Sequence, residues 1–334
     1  MITAKQLSEA YISGANNIEN NRQKVDALNV FPVPDGDTGT NMSMTMGAAR
    51  EELLHNSYTT VGDVAGKAAS ALLRGARGNS GVITSLLFRG FSKGLKHKSE
   101  AGAADLVEAL EIGVAAAYKA VMKPTEGTIL TVARVAAEKS RTALTDAMEP
   151  LEVWDLIIQY AEEALAQTPE QLPVLKKAGV VDAGGKGYLL ILDGMLAELR
   201  GEPMPETEAG ESREEKADFA TMAAEDITFA FDTVFIVRKA MADISLEPLR
   251  TYLNSIGDSL VIGEDDEAFK VHVHTNIPGN ALNEAQKYGT LELAKIENMR
   301  TQADDLAAGK HVQSTDDLDA VEAELESVPA EETP

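Results

Sequence analysis

The spacing of apolar residues changes once along this 334-residue chain, close to residue 200, and this change constrains the fold most strongly. Before it, apolar residues recur with the 3.6-residue period of helices, and short segments with Gly, Pro or Asn interrupt the pattern. Residues 1–200 are therefore predicted to form an all-α domain. The eight predicted helices cover residues 5–21, 41–54, 61–74, 80–95, 103–121, 128–143, 151–166 and 184–199.

The pattern beyond residue 222 is typical of strands. Stretches rich in Val, Ile, Phe and Thr alternate with two helical patterns, and the order is β-α-β-β-α-β. This order predicts an α+β domain of the ferredoxin-like, split βαβ type over residues 223–303. The predicted strands are 227–237, 259–263, 268–275 and 291–296, and the predicted helices are 246–256 and 278–288.

Two acidic segments lie outside these predicted domains. Residues 201–222 combine Pro, Gly and dense charge, which predicts a flexible linker, and residues 304–334 form an acidic tail that is predicted to be disordered. Residues 201–220 and 313–334 together contribute −13 of the net charge of −24. The predicted folded domains are therefore only mildly acidic.

The bulk composition excludes several classes of function. The net charge of −24 argues against nucleic acid as the main partner, because binding to phosphates requires a basic surface. No apolar run approaches the roughly 20 residues that a membrane-spanning helix needs. The chain has no cysteine, so disulfides and thiolate metal sites are excluded. With no segment resembling a signal peptide, we expect a cytoplasmic protein.

The sequence LNVFPVPDGDTGTNM at residues 28–42 carries the strongest chemical signal. Two prolines and two glycines prevent a helix there, while apolar residues would anchor the loop. Asp35 and Asp37 are spaced to converge on Mg²⁺, which prefers oxygen ligands and often pairs carboxylates with phosphates. Residues 39–41 open the next helix, whose free N–H groups favour a phosphate. The alternative is an Asp-Gly-Asp turn that only caps this helix.

Three further glycine-containing turns precede predicted helices, at residues 74–83, 123–128 and 181–187. In the first of them, Asn79 or Ser80 could cap the helix or bind a phosphate oxygen. Each turn alone is more often structural, but four such helix starts in one domain favour a common anion site. The chain contains neither a Walker A loop nor a Rossmann GxGxxG motif.

A second candidate site lies in the strand that contains residues 270–274. Strand alternation places His272 and His274 on one face, and a neighbouring strand could add Asp232. This two-histidine, one-carboxylate set suits Zn²⁺ or another divalent transition metal. The alternative is a solvated or hydrogen-bonded sheet face. We expect any metal here to be structural, because the flexible linker separates it from the phosphate loops.

Long motifs in the chain resemble one group of kinases. Residues 29–42, 75–83, 126–130 and 181–187 resemble the nucleotide-binding subunit of dihydroxyacetone kinases and, more fully, the kinase subunit of bacterial fatty acid kinases. Residues 257–260, 271–276 and 295–299 resemble the middle domain of the latter family. The resemblance covers nearly everything from residue 1 to about residue 303.

The resemblance implies an eight-helix antiparallel barrel whose loops at one end bind ATP and Mg²⁺. It implies that Asp35 and Asp37 coordinate Mg²⁺, and that Asn29, in the place of a third aspartate, is a candidate third ligand. It also places a set of residues near the nucleotide. These are Gly39, Thr40, Asn41, Asn79, Ser80, Gly127, Thr128 and Asp182.

The activity that the resemblance implies is ATP-dependent phosphorylation of a fatty acid carboxylate, which gives an acyl phosphate. A separate lipid-binding protein would present the fatty acid, and the middle domain is a candidate homodimer contact. Relatives continue into a third domain, so we expect a short family member or a truncated chain. The alternatives are a kinase of a small polyol or hydroxyketone, and a non-catalytic nucleotide-binding regulator or scaffold.

Overall fold

The computed structural model describes residues 1–205 and 227–301, and the remaining residues, 206–226 and 302–334, lie outside that description. The predicted tail, 304–334, and most of the predicted linker, 201–222, therefore lie outside the described residues. Residues 202–205 of the linker run along the first helix. There Met204 accepts a hydrogen bond from Asn16 Nδ2 and donates one to Ser13 Oγ, both at 3.0 Å.

Residues 1–205 form ten helices. These are α1 (Ala4–Asn20), α2 (Arg22–Asp26), α3 (Thr38–His55), α4 (Val61–Gly75), α5 (Gly78–Leu95), α6 (Ala103–Ala120), α7 (Ile129–Ala143), α8 (Pro150–Gln171), α9 (Pro173–Ala178) and α10 (Ala183–Leu199). The eight long helices confirm the helical prediction. The two short ones, α2 and α9, were not predicted, because five or six residues are too few to show a helical period.

The long helices pack in a closed order. Each contacts the next long helix along the chain, and α10 contacts both α8 and α1. Their apolar faces form one core, in which the rings of Tyr11 and Phe88 lie 5.3 Å apart. No helix in the described part of the chain has the length and apolar character needed to cross a membrane.

Residues 227–301 form a four-stranded sheet with two helices. The elements are β1 (Phe231–Lys239), α11 (Glu247–Ile256), β2 (Gly257–Glu264), β3 (Ala268–Thr275), α12 (Pro278–Ala285) and β4 (Gly289–Asn298). The strand order is β2-β3-β1-β4, and every neighbouring pair is antiparallel. This order interleaves the two βαβ units, as the predicted order of elements requires.

The two faces of the sheet have different partners. Phe235, Val237, Val271 and Val273 belong to a second apolar core that includes residues of α11 and α12. The opposite face lies against the helical part of the chain. Val261 of β2 belongs to the helical core, so the two parts share packing.

Backbone and side-chain hydrogen bonds also join the sheet to the helices. Val121, just after α6, forms an isolated antiparallel bridge with Val261, and Met122 N–H donates to the Leu260 carbonyl at 3.3 Å. Buried Lys270 donates from Nζ to the carbonyls of Arg74, at 3.2 Å, and Ala76 at the end of α4. The sheet is thus held against the helices by specific contacts.

Candidate functional site

A cavity of about 390 Å³ lies between the helical part and the sheet. Loops that precede α3, α5, α7 and α10 form one side of it, and strands β1 to β3 form the other. Its polar lining consists of Asn29, Asp35, Asp37, Thr38, Asn41, Asn79, Ser80, Lys123, Thr125, Thr128, Asp182, Asp232, Asn254, Asp258, Ser259, His272 and His274. The cavity is large enough for a nucleotide-sized ligand.

Four helices begin at this cavity. Residues of the caps and first turns of α3, α5, α7 and α10 line it, and they are Thr38, Asn41, Gly78, Asn79, Ser80, Thr128, Ile129, Asp182 and Gly184. The first N–H groups of a helix have no partner within the helix, and the helix dipole makes this end positive. Four such ends around one space form a strong site for a polyanion such as a phosphate chain.

Asn29 holds the loop that carries the two predicted metal ligands. This buried residue donates from Nδ2 to Asp35 Oδ1 and, at 3.3 Å, to the Val33 carbonyl. Its Oδ1 accepts a hydrogen bond from Thr38 Oγ1 at 2.9 Å. Asn29 therefore positions Asp35 in this arrangement, in contrast to the direct metal contact for which it was a candidate.

The carboxyl groups of Asp35 and Asp37 lie together at the cavity in an environment that disfavours their charge. Burial, followed by the charge of Asp37, raises the pKa of Asp35 well above its usual range. Burial also raises the pKa of Asp37 to about 6, and hydrogen bonds from Asp35 and Asn41 oppose this shift. A divalent cation would relieve the repulsion between these carboxylates, so the pair fits a metal site.

Three of the predicted cofactor residues do not line the cavity. Thr40 uses its backbone N–H and Oγ1 to bind Asp26 of α2, at 2.9 and 2.8 Å. At Gly39 a Cβ atom would lie 2.1 Å from the carbonyl oxygen of Arg22, so only glycine lets α3 pack this closely against α2. Gly127 has a φ of +80° and donates its N–H to Thr131. These residues shape the loops around the site.

Asp182 connects the starts of two helices at the cavity. It caps α10 by accepting the Gly185 N–H at 2.7 Å, and it also accepts a backbone hydrogen bond from Ile129 of α7. Burial raises the pKa of this carboxyl to about 7. Asp182 thus has a structural role as a cap, and it joins Asn41, Asn79, Ser80 and Thr128 among the predicted nucleotide residues that line the cavity.

The sheet contributes a second group of metal-ligating side chains, as the alternation of β3 predicts. Asp232 of β1 pairs with His274 in the strand register, and one ligand atom from each of Asp232, His272 and His274 lies within 4.8 Å of the others. Val271 and Val273 point to the opposite core. Asp232 Oδ1 and both ring nitrogens of His272 are buried without a hydrogen-bond partner among the described residues.

The expectation that this group lies away from the phosphate loops is wrong. Asp232, His272 and His274 line the same cavity as Asp35 and Asp37, because the sheet packs directly on the loops of the helical part. The charge of Asp232 contributes to the raised pKa values of both Asp35 and Asp37. Burial itself raises the pKa of Asp232 to about 6. The two groups therefore form one continuous acidic site.

The histidines of this group are neutral in the structure. Burial lowers the pKa of His272 to about 3 and that of His274 to about 4. A neutral imidazole has a lone pair available for a metal. The geometry and protonation of the group therefore suit a cation at the sheet side of the cavity.

The segment at the start of β2 also lines the cavity, although its role was not deduced from residue chemistry. Asp258 and Ser259 lie where the register between β2 and β3 shifts, and Ser259 has a φ of +52°. Such bulges redirect side chains and often occur beside functional sites. The only sequence signal is the Gly-Asp-Ser break before an apolar strand, which also predicts an ordinary turn.

Comparison with known proteins gives two family matches. Residues 32–197 match the DAK2 domain, and residues 228–306 match the FakA-like middle domain of fatty acid kinases. The boundary between the two matches falls between the helical part and the sheet.

Two relatives illustrate the similarity of the sequence. The chain is 44% identical over 310 residues to the protein YloV of Bacillus subtilis, and 44% identical over 308 residues to an uncharacterized protein of Staphylococcus aureus. Each alignment covers 90% of this chain and 56% of the relative. The chain thus spans little more than half the length of the curated relatives that it matches.

The structure also has a distant likeness to the dihydroxyacetone kinase from C. freundii, solved in complex with AMP-PNP and Mg²⁺. The TM-score is 0.46 with 17% sequence identity, and the match covers 58% of this chain and 33% of that one. A likeness at this level does not bear on function.

Proposed function

Because this chain belongs to the family in which a DAK2 domain precedes a FakA-like middle domain, we propose that it is an ATP-dependent phosphotransferase. One observation carries the proposal. Asp35 and Asp37 lie in a single cavity where four helices begin. A carboxylate pair and several helix N-termini at one place are what a complex of Mg²⁺ and a triphosphate requires.

The residues present fit this cofactor. Asp35 and Asp37 would hold Mg²⁺, which neutralises charge on the phosphates when it is bound. The first turns of α3 and α5, with Asn41, Asn79 and Ser80, would bind the phosphate oxygens. The helical part would be the antiparallel eight-helix barrel, a proposal that the closed order of helix contacts supports.

The acceptor in this proposal is the carboxylate of a fatty acid that a separate lipid-binding protein presents. A carboxylate oxygen attacks the γ-phosphorus, the bond from this phosphorus to the β,γ-bridging oxygen breaks, and ADP and an acyl phosphate form. A carboxylic acid with a pKa of about 4 is already ionised near neutral pH, so the step needs no general base. The protein contributes positioning and charge neutralisation.

The size of the cavity supports a carrier. Its volume of about 390 Å³ lies in the lower range for a pocket that holds one small ligand. A bound nucleotide leaves little space there for an acyl chain, so the chain would remain with the lipid-binding protein.

We propose that Asp232, His272 and His274 hold a second cation beside this centre, Zn²⁺ or another divalent transition metal. The observation in favour is the set of buried ligand atoms without hydrogen-bond partners among the described residues. Such groups in a native structure call for a partner. The comparisons with known proteins do not bear on the identity of this ion.

Hydroxylamine trapping of the acyl phosphate tests the proposed reaction. The chain is incubated with ATP, Mg²⁺ and oleate, with and without candidate lipid-binding proteins, and a parallel sample receives dihydroxyacetone. We expect hydroxamate only when ATP, Mg²⁺ and a carrier are all present. Phosphorylation of dihydroxyacetone would favour the polyol kinase, and nucleotide binding without transfer to any acceptor would favour the regulator. Efficient reaction of free oleate would contradict the need for a carrier.

A further inference from the structure

A second, smaller recess opens beside the cavity, between the start of α5 and the sheet. It has a volume of about 20 Å³. Its lining consists of Asn41, Arg74, Ala76, Arg77, Gly78, Asp232, Val234, Lys270, Leu293, Lys295 and Glu297. Asn41, Gly78 and Asp232 also line the large cavity, so the two spaces meet at the carboxylates of the proposed metal sites.

The charges of the two spaces are opposite in character. The lining of the large cavity contains five aspartates and one lysine, Lys123. An acceptor carboxylate that approached through it would meet repulsion. The lining of the recess contains four cationic side chains and two acidic ones. A carboxylate is therefore better accommodated on the recess side.

The four cations differ in what their contacts do. Lys270 donates to backbone carbonyls at the end of α4, and Arg74 forms an ion pair with Glu267 at 2.9 Å. Both contacts hold the sheet on the helices, so exchanging them for a ligand would loosen this packing. Arg77, at the N-cap of α5, and Lys295 of β4, which already pairs with a carboxylate, are therefore the cations whose positions suit a ligand carboxylate.

The carboxylate next to Lys295 shows where such a group can lie in the recess. Glu297 Oε1 lies 3.3 Å from Lys295 Nζ, and their side chains are only 11% and 15% exposed. The charge of Glu297 contributes to the raised pKa values of Asp37 and Asp232, so this carboxylate acts on both proposed metal sites. A carboxylate in this position is therefore close to the reacting centre.

We propose that this recess is the subsite for the acceptor carboxylate, where Arg77 and Lys295 bind the head group and Lys295 exchanges Glu297 for it. The inference rests on the proposed function. A space of about 20 Å³ admits a group about the size of a water molecule. Only the head of the acid enters, and the acyl chain stays outside with its carrier.

The test measures binding of carboxyl-labelled hexanoate, by ¹³C NMR titration, to the full chain loaded with Mg²⁺ and AMP-PNP. We expect Lys295→Met to weaken hexanoate binding about 10- to 100-fold, because a charge-assisted hydrogen bond is lost. Lys295→Arg should restore binding, and Glu297→Gln should tighten it by removing the competing carboxylate. Arg238→Met is the matched control, since exposed Arg238 pairs with Glu292 on the same sheet.

Calorimetry of AMP-PNP binding separates the two levels of the proposal. We expect the wild type and all four variants to bind AMP-PNP equally. Hexanoate that does not bind the loaded wild type, or that binds Lys295→Met as well as wild type, would overturn the subsite alone. A wild type that does not bind AMP-PNP would overturn the proposed function and the subsite with it.

Discussion

At the scale of single residues, the polar atoms at Asp232 and His272 are the most demanding feature of the site. Burying a polar atom without a partner costs roughly 1–3 kcal/mol. Asp232 Oδ1 and both nitrogens of His272 are in this state among the described residues, and His274 lies beside them with its ring centre 5.0 Å from that of His272. A bound cation would offset this cost.

Metal analysis after extensive dialysis tests this residue-scale account. We expect roughly one equivalent of a divalent transition metal, which three protein ligands can hold. His272→Ala and His274→Ala should lose it, while Mg²⁺-dependent ATP binding persists. His55→Ala is the control, because His55 is exposed and contacts only Glu51 of its own helix. Metal-free wild-type protein whose melting temperature does not rise on addition of Zn²⁺ would contradict the second cation.

The residues of the site divide clearly by how far sequence can predict them. Asp35 and Asp37 were predictable, because their spacing and the adjacent helix start are local features. That His272 and His274 share one sheet face was predictable from alternation. That they face Asp35 was not, since this depends on how two parts distant in sequence pack together.

At the scale of elements, Lys270 determines how the sheet sits on the helices. Its ammonium group is buried and caps two carbonyls at the end of α4, immediately before the turn that starts α5. That turn carries Gly78, Asn79 and Ser80 into the cavity. The contact therefore links the docking of the sheet to the geometry of one anion-binding loop.

Replacing Lys270 with Met tests this link. We expect the free energy of unfolding to fall by about 1–3 kcal/mol, because buried carbonyls lose their partner. ATP affinity should fall as well, since the loop before α5 loses its support. Lys287→Met is the control: Lys287 is exposed, pairs with Glu284 at 2.6 Å, and should change stability by less than about 0.5 kcal/mol. Urea denaturation gives both values, and equal stability of the two variants would refute the role of Lys270.

The elements themselves were predictable to different degrees. The long helices and the order of the sheet elements follow from apolar periodicity, which these segments are long enough to show. The short helix α2 was not predicted, although its Asp26 binds Thr40 and so fixes the start of α3. A five-residue helix between two loops has no period that sequence can reveal.

At the scale of the whole molecule, the site belongs to both parts of the chain. The helical part supplies Asp35, Asp37 and the helix N-termini, and the sheet supplies Asp232, His272 and His274. The expected homodimer through the middle domain stays a prediction. In the part of the chain that the structure describes, no strand covers the outer edge of β4, where Leu293 and Ile296 are 41% and 38% exposed.

The central claim is that Asp35 and Asp37 gather Mg²⁺ and ATP in this shared cavity. Calorimetry of ATP binding to the wild type, with and without Mg²⁺, tests it together with Asp35→Asn and Asp37→Asn. Asp155→Asn serves as the control, because Asp155 is half exposed and pairs with Arg200 at the surface. The variants should fold normally and keep or raise the melting temperature of the nucleotide-free protein, since each removes a repelling buried charge.

We predict that the wild type and Asp155→Asn bind ATP only when Mg²⁺ is present. Asp35→Asn and Asp37→Asn should each lose about tenfold or more in affinity, because the metal loses a charged ligand. ATP affinity that is the same in both variants as in the wild type, at saturating Mg²⁺, would show that residues 35–37 are only a turn and would contradict the account.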